Sequence, residues 1–502
     1  VSPSQHPRAD RRPRPTSARR VAFDVLRAVQ VDDAYANLLL PTRIRRAGLS
    51  ARDAAFATEL TYGALRMLGR YDAIVGVASG RRVDNIESDV LDVMRLGVHQ
   101  LLGMRTPTHA AVSATVELAR EVGARRATGF VNAVLRKVAA RTDDEWDALV
   151  TEGRSGDALL ATRWSHPSWV VSALRDALAA ERSRDELAAL LAADNVAPRV
   201  QLVALPGLAT DEDVATATTT DAPDSGGAAV DAAGTTADEE TGTVPGAPVA
   251  EADAGPVSPV GIRGTTGDPA RVPGVAAGRL RVQDEGSQLA ALSLTRSAPV
   301  RAGERWLDMC AGPGGKAALL AAEAAVGGAT LVANELVPAR AGLVRKALAT
   351  VADEDVVTVV EGDGRRFGRP GDERFDRILL DAPCTGLGAL RRRPEARWRK
   401  QPEDVPELAA LQAELLDAAV RALAPGGTLA YVTCSPHLAE TRGQVDALMA
   451  RHGDVLEQLD TAGVVRSVAG RDPRVADGAT VQLWPHRIGT DAMFVALFRR
   501  TA

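Results

Sequence analysis

Two cysteines are placed where a thiolate could do covalent chemistry. Cys384 lies in Asp381-Ala382-Pro383-Cys384-Thr385-Gly386 and Cys434 in Thr433-Cys434-Ser435-Pro436. Each comes just past an apolar β-type run, expected over 375–380 and 428–432, and each is followed by a hydroxyl residue. If those strands are neighbours, their axes lie about 4.8 Å apart and both sulfurs open into one crevice. A buried, inert thiol is the usual fate of a cysteine. Two of the three in the chain, set this way, favour nucleophilic catalysis by a thiolate that its surroundings activate.

The third, Cys310, starts Cys310-Ala311-Gly312-Pro313-Gly314-Gly315-Lys316. This turn joins a strand over 305–309 to a helix from 317, the arrangement by which an open α/β sheet forms a ligand crevice at the end of its first strand. Glycines without Cβ let backbone N–H groups approach a ligand. The spacing is not G-x-G-x-x-G, so no dinucleotide fingerprint is met. Further strands over 330–334 and 356–361 end at Glu335 and Asp363. An acid at the second position suits ribose hydroxyls of a bound nucleoside. Any one of these ends could be an ordinary turn; five ligand-capable ends in one sheet are harder to dismiss.

Strands alternating with helices over 281–502, closed by a strand over 492–498, predict a mainly parallel α/β sheet. Residues 17–140 read as an all-α bundle. Val21, Val25, Leu26 and Val29 share one helix face, and further helices are expected over 51–68, 86–102, 108–122 and 125–139. Ser50 and Thr108 are candidate helix caps. Asn132 and Arg136 share a face of the last helix, either as a buried contact or as an RNA contact. Residues 1–16, with Arg8, Arg11, Arg12 and Arg14 among prolines, form a basic arm, either solubilising or RNA-contacting. Residues 146–205 and 263–280 are expected to form a small linking subdomain.

The net charge of −5 conceals two parts. Residues 206–262 carry eleven acids and no Lys or Arg, and without them the balance is +6. The stretch reads as a disordered acidic insertion, and the remainder is basic enough for a nucleic-acid partner. No apolar run approaches the roughly 20 residues of a membrane span, and the Arg- and Pro-rich start is not a secretory signal. Widely spaced cysteines indicate neither a metal site nor a disulfide framework, so a reducing cytoplasm is expected. Between the late cysteines, Arg391 to Lys400 holds basic residues around Trp398, a pattern suited to RNA.

The C-terminal part resembles the RNA 5-methylcytosine methyltransferases that use S-adenosyl-L-methionine. The motifs are CAGPGGK (310–316), DAPCTG (381–386) and TCSPH (433–437), with RVQDEGSQ (281–288) leading in. The bundle over 17–145, with AVSATVELA (111–119) and GFVNAVLR (129–136), resembles the NusB-like RNA-binding domain. The pairing points to the RsmB/Sun subgroup, which modifies small-subunit (16S) ribosomal RNA. The resemblance implies a Rossmann-like methyltransferase sheet in which residues 310–316, Glu335, Asp363 and Asp381 hold S-adenosylmethionine. It implies that Cys434 attacks C6 of a cytosine, that Cys384 assists loss of the C5 proton and enzyme release, and that Asp381 hydrogen-bonds the base. Many relatives carry Asp where this chain has Glu335; Glu can make the same hydrogen bonds. The alternatives are a tRNA methyltransferase and a non-catalytic RNA-binding regulator. Neither a metal nor an oligomer is indicated.

Overall fold

Apolar stripes repeating every three to four residues fold the first part of the chain into helices, and alternating βα segments build the second. The computed structural model describes residues 16–104, 106–219, 255–263 and 269–501. The chain divides into two compact units. One runs to His166 and includes Arg393–Glu395, and the other comprises Pro167–Arg392 and Ala396–Ala502. The basic arm, Thr16 apart, lies outside the described residues, as does the insertion over 220–254. No helix among the described residues is long and apolar enough to cross a membrane.

The first unit is helical throughout. Val21, Val25, Leu26 and Val29 of helix Ala18–Val31 are buried, as their spacing requires. The helix expected over 51–68 is Ala51–Arg66, and a further helix not expected from the sequence, Leu68–Ser79, follows it. Ser50 caps the first, its Oγ accepting from Asp53 N at 3.1 Å. Thr108 caps nothing: it is the first helical residue, and Pro107 holds the cap position. Asn132 is only half-buried and Arg136 is exposed, with Nε 3.4 Å from Asn132 Oδ1, so the pair does not fix a buried helix contact.

The expected linking subdomain is divided between the units. Residues 146–166 belong to the bundle: Trp146 is buried in its core and donates Nε1–H to Val138 O (2.9 Å), while Arg70 pairs with Asp147 at 2.7 Å. Helices Ser168–Ala180 and Leu187–Ala193 belong to the second unit. There Glu181, whose side chain is 3% exposed, accepts from Trp484 Nε1 (2.9 Å) and Arg487 Nη1 (3.1 Å). A carboxylate removed from water needs such donors, and the C-terminal segment supplies them.

Among its described residues the second unit has eleven strands: β1 (Gln201–Ala204), β2 (Gly261–Arg263), β3 (Leu280–Val282), β4 (Arg305–Asp308), β5 (Thr330–Glu335), β6 (Val357–Glu361), β7 (Phe375–Asp381), β8 (Leu423–Thr433), β9 (Leu456–Gln458), β10 (Thr480–Gln482) and β11 (Phe494–Arg500). The first three form an antiparallel sheet ordered β2-β1-β3. This sheet corrects the limits of the acidic insertion. Inside 206–262, residues Asp211–Thr219 are helical and β2 begins at Gly261. Asp213 binds the Arg279 guanidinium through both oxygens (2.7 Å each), and Glu285 accepts from Ser258 N at 3.0 Å. Asp213, one of the acids in the stretch, thus holds structure as well as charge.

The main sheet runs β10-β11-β8-β7-β4-β5-β6, with β9 on β11. Strands β6, β5, β4, β7 and β8 are parallel, and β11 is antiparallel to β8. The order reverses at β4, whose neighbours are β5 and β7, so a crevice opens at the carboxyl ends of these strands. Ala317–Ala322 of helix Gly315–Gly327 are buried, and their small side chains bring that helix close to the sheet. At the opposite end, buried Arg377 pairs with Glu304 (2.8 Å) and caps helix Glu285–Thr295 by donating to Leu294 O (3.0 Å) and Thr295 O (2.7 Å).

Candidate active site

The turn after β4 is held from several sides. Met309 N donates to Leu379 O (2.9 Å) of β7, and Ala311 N to Asn334 O (2.8 Å) of β5. Glu335 Oε2 accepts from Gly312 N (3.0 Å), and Arg340 donates to Gly312 O (2.7 Å). Glycine is required at two positions. A Cβ on Gly312 would lie 2.1 Å from Glu335 Oε2, and Gly314 has φ +104° with its Cβ position 2.6 Å from Ala347 Cβ. Gly315 opens the helix, and a Cβ there would meet no heavy atom within 4 Å.

Beside the turn lies a crowded set of charges. Lys316 Nζ is 2.8 Å from Asp381 Oδ2, so this lysine is not merely solvated. Burial alone would lower its pKa, yet Asp381 carries it above the ordinary lysine value. Asp308, the last residue of β4, is 1% exposed, and only the Cys310 backbone amide acts on its carboxyl as a donor, without a well-formed hydrogen bond to either oxygen. Burial, followed by the charge of Asp381, pushes its pKa up to about 8.

The ends of β7 and β8 are adjacent, with Asp381 opposite Val432, and the two thiols meet. Cys384 Sγ and Cys434 Sγ are 3.5 Å apart. Gly388 N donates to Cys434 O (2.8 Å), fixing one loop against the other. The cysteines are electrostatically unequal. The Cys384 hydrogen bond lowers the pKa of Cys434 against the effects of burial and Asp381, and Lys316 adds to the lowering. The same contact, then burial, holds the Cys384 thiol well above its usual range. Of the two, Cys434 is the one biased toward thiolate.

This geometry agrees with what the chain is similar to. Residues 298–499 match the family described as 16S rRNA methyltransferase RsmB/F, and residues 16–140 match the NusB family. A Mycobacterium tuberculosis (strain ATCC 25618 / H37Rv) protein named as a putative methyltransferase is 46% identical over 96% of each chain. Ribosomal RNA small subunit methyltransferase B of Salmonella paratyphi B (strain ATCC BAA-1250 / SPB7) is 32% identical, covering 86% of this chain and 89% of that one. The chain belongs to the RsmB/F methyltransferase family. Its fold is shared with the crystal structure of PH0851, at a TM-score of 0.72 and 20% identity over 97% of this chain and 99% of that one.

The methyl donor of this RsmB/F methyltransferase is S-adenosyl-L-methionine, and the crevice suits it. Open space lies over Gly315 at a helix N-terminus, which favours polar ligand groups. Asp308 and Asn334 direct buried oxygens that accept no well-formed hydrogen bond among the described residues. Acids stand at the ends of three parallel strands as acceptors for hydroxyl and amino donors: Glu335, Asp363 and Asp381.

The sequence-expected residues fall into four groups. Cys384, Cys434, Asp381 and Lys316 converge. Glu335 is buried and braces the turn through Gly312 N, and its Oε1 accepts from Val337 N (2.9 Å). Asp363, at the β6 end, is gripped by Arg365 (2.7 Å to Oδ2), whose hydrogen bonds hold its carboxyl below the usual range. Burial raises the Cys310 thiol well above its ordinary value.

The basic run departs from expectation. Arg391 and Arg397 are buried, Arg391 donating to Gly489 O (2.6 Å) and Arg397 to Asn195 Oδ1 (2.9 Å). Arg392 is exposed but chelated by the buried carboxylate of Asp491. Arg391 and Arg397 therefore hold loops together, whereas Arg392 and Arg393 are exposed and Arg399 and Lys400 half-buried. Sequence reasoning missed Asp308, Asp491 and Glu440. Asp308 carried one signal, an acid closing an apolar strand; the other two carried none until distant loops met.

Proposed function

We propose that this enzyme methylates C5 of a cytosine in small-subunit ribosomal RNA through a covalent bond between Cys434 and C6. The observation that carries this reading is the pair of thiols 3.5 Å apart, one biased toward thiolate, beside the Lys316–Asp381 pair and the glycine turn. S-adenosylmethionine, held by residues 310–316, Glu335, Asp363 and Asp381, supplies a methyl group activated by a sulfonium. The target base must leave its stack to reach the crevice. Cys434 Sγ adds to C6, and the electron pair released into the ring makes C5 nucleophilic. Asp381, anchored by Lys316, hydrogen-bonds the base.

Once Cys434 is bonded to carbon, the negative charge that held the Cys384 proton is gone, and Cys384 can ionise and assist removal of the C5 proton. The C5–H electron pair then restores the C5–C6 double bond, the C6–S bond breaks, and Cys434 leaves as thiolate. Two reactive thiols at this separation stay reduced in a reducing compartment, which supports a cytoplasmic enzyme.

Cys434→Ala is expected to lower methyl transfer at least about 10³-fold, while Cys384→Ala accumulates an RNA–protein adduct that survives denaturing electrophoresis. Ordinary turnover by both variants would refute the roles. Supplying labelled methyl donor with purified 16S rRNA or tRNA identifies the substrate, and label in tRNA alone would overturn the ribosomal assignment.

A further inference from the structure

Behind the two thiols lies a completely buried carboxylate that the proposed reaction does not use. Glu440 is 0% exposed, in the short turn Leu438–Glu440 that follows the Cys434 loop. Its Oε1 accepts from Thr385 N (2.8 Å) and Gln412 Nε2 (3.3 Å). Its Oε2 accepts from Thr385 Oγ1 and from Ser435 Oγ (2.6 Å), and those hydroxyls are 3.0 Å from each other. Thr385 follows Cys384 and Ser435 follows Cys434. We propose that Glu440 is a positioning residue, a bracket that joins the residue after each thiol and so sets the two sulfurs face to face.

The inference rests on reading Cys434 as nucleophile and Cys384 as its partner. Four donors converge on one side chain, which matches the acceptor-only inventory of a carboxylate. Consecutive Cα atoms are about 3.8 Å apart, so holding Thr385 and Ser435 leaves the adjoining cysteines little freedom. Other bonds stiffen the bracket. Tyr431 OH donates to Glu440 O (2.7 Å), Gln412 Nε2 to Pro383 O (2.8 Å), and His437 N to Ser435 Oγ (3.2 Å). Thr385, Gln412, Tyr431 and Ser435 are all buried, so the network is shielded from water. An apolar cluster could hold two loops without the desolvation cost of a buried acid. What it could not supply is direction and charge. The Glu440 carboxylate acts on the Cys384 side and favours the thiol there, whereas Lys316 acts on Cys434 and favours the thiolate.

The test uses full-length Glu440→Gln, Glu440→Ala, Thr385→Val and Ser435→Ala. Three properties are measured: donor affinity, single-turnover methyl transfer to RNA, and iodoacetamide alkylation of each cysteine against pH, resolved by peptide mass spectrometry. Glu440→Gln keeps the shape and removes the charge. It should bind the donor within about twofold of wild type, transfer methyl about 10²-fold more slowly, and move the alkylation midpoint of Cys384 down by about one pH unit. Thr385→Val and Ser435→Ala should each slow transfer about tenfold. Wild-type turnover with unshifted alkylation profiles in Glu440→Gln overturns the proposal, as does a loss that only follows lost donor binding. Should neither Glu440 variant fold, the two hydroxyl variants decide, and unchanged turnover in both overturns it. Absence of RNA methylation by wild type would sink the functional reading alone; the alkylation profiles still judge the bracket.

Discussion

The helical unit and the sheet crevice handle buried charge in opposite ways. In the bundle, Arg95 reaches Asp72 through two hydrogen bonds of 2.7 Å and Asp92 through a third of 2.7 Å, and Arg27 adds a contact of 3.0 Å to Asp92. In the crevice, Asp308 is equally hidden, yet only the Cys310 backbone amide acts on its carboxyl as a donor, no side chain is hydrogen-bonded to it among the described residues, and its neighbours include Asp381. Complete networks fix helices against one another. An incomplete one leaves polar capacity for something that is not part of the chain. The same residue types are structural in one region and available for chemistry in the other, and the count of satisfied partners separates the cases.

The largest expected effect breaks the complete network. Arg95→Ala removes the cation shared by two carboxylates, one of them 1% exposed. Leaving such charges buried should cost about 3–5 kcal/mol, read from urea unfolding followed by probes in the bundle. A change below about 1 kcal/mol would mean that water replaces the guanidinium and that the network is not the closed unit argued above.

A smaller and opposite effect is expected in the crevice. The folded pKa of Asp308, about 8, lies above the value of about 3.9 for a free aspartate. A raised acid contributes its full stability below the unfolded pKa and loses it as pH rises through the folded one. Asp308 therefore weakens the fold progressively from about pH 4 to pH 8. Asp308→Asn abolishes that titration, so its stability relative to wild type should grow across the window, reaching on the order of 2 kcal/mol after relaxation and water entry are allowed for. Melting temperatures at pH 4.5, 6 and 8 check this; a constant difference would show that the carboxyl is ionised throughout.

What was legible in the sequence follows the same division. The glycine turn, the acids ending β5 and β6, and the motif cysteines could be read because each lies within a few residues of a strand end, and the βα alternation places those ends together. The partners of Asp381 and of the cysteine loops could not be read. Lys316 is 65 residues from Asp381, and Glu440 is 55 from Thr385. Only the strand order β8-β7-β4 brings them into contact. The Arg391 to Lys400 run was legible only in part, for the converse reason. Its composition suits a solvated nucleic-acid surface, but Asp491, 99 residues beyond Arg392, neutralises that guanidinium locally. The helix at 211–219 was hidden by the acidic composition around it, since the bond from Asp213 to Arg279 spans 66 residues.

The smallest expected effect sharpens the comparison at the level of a single hydrogen bond. Ser50 and Thr108 are equivalent by residue type and position before a helical run, and only the backbone tells them apart. Ser50 has extended φ/ψ of −60° and 162°, and its Oγ accepts from Asp53 N at 3.1 Å. Thr108 already lies inside its helix, with Pro107 ahead of it and no side-chain cap bond. Ser50→Ala should therefore cost about 1 kcal/mol, seen as faster amide exchange in the first turn of helix Ala51–Arg66. Thr108→Ala should stay within about 0.5 kcal/mol, because an exposed first-turn threonine loses no partner. Equal losses at both sites would mean that intrinsic helix propensity, and not satisfaction of an orphan N–H, governs these helix starts. The distinction drawn above between complete and incomplete networks would then fail at its simplest case.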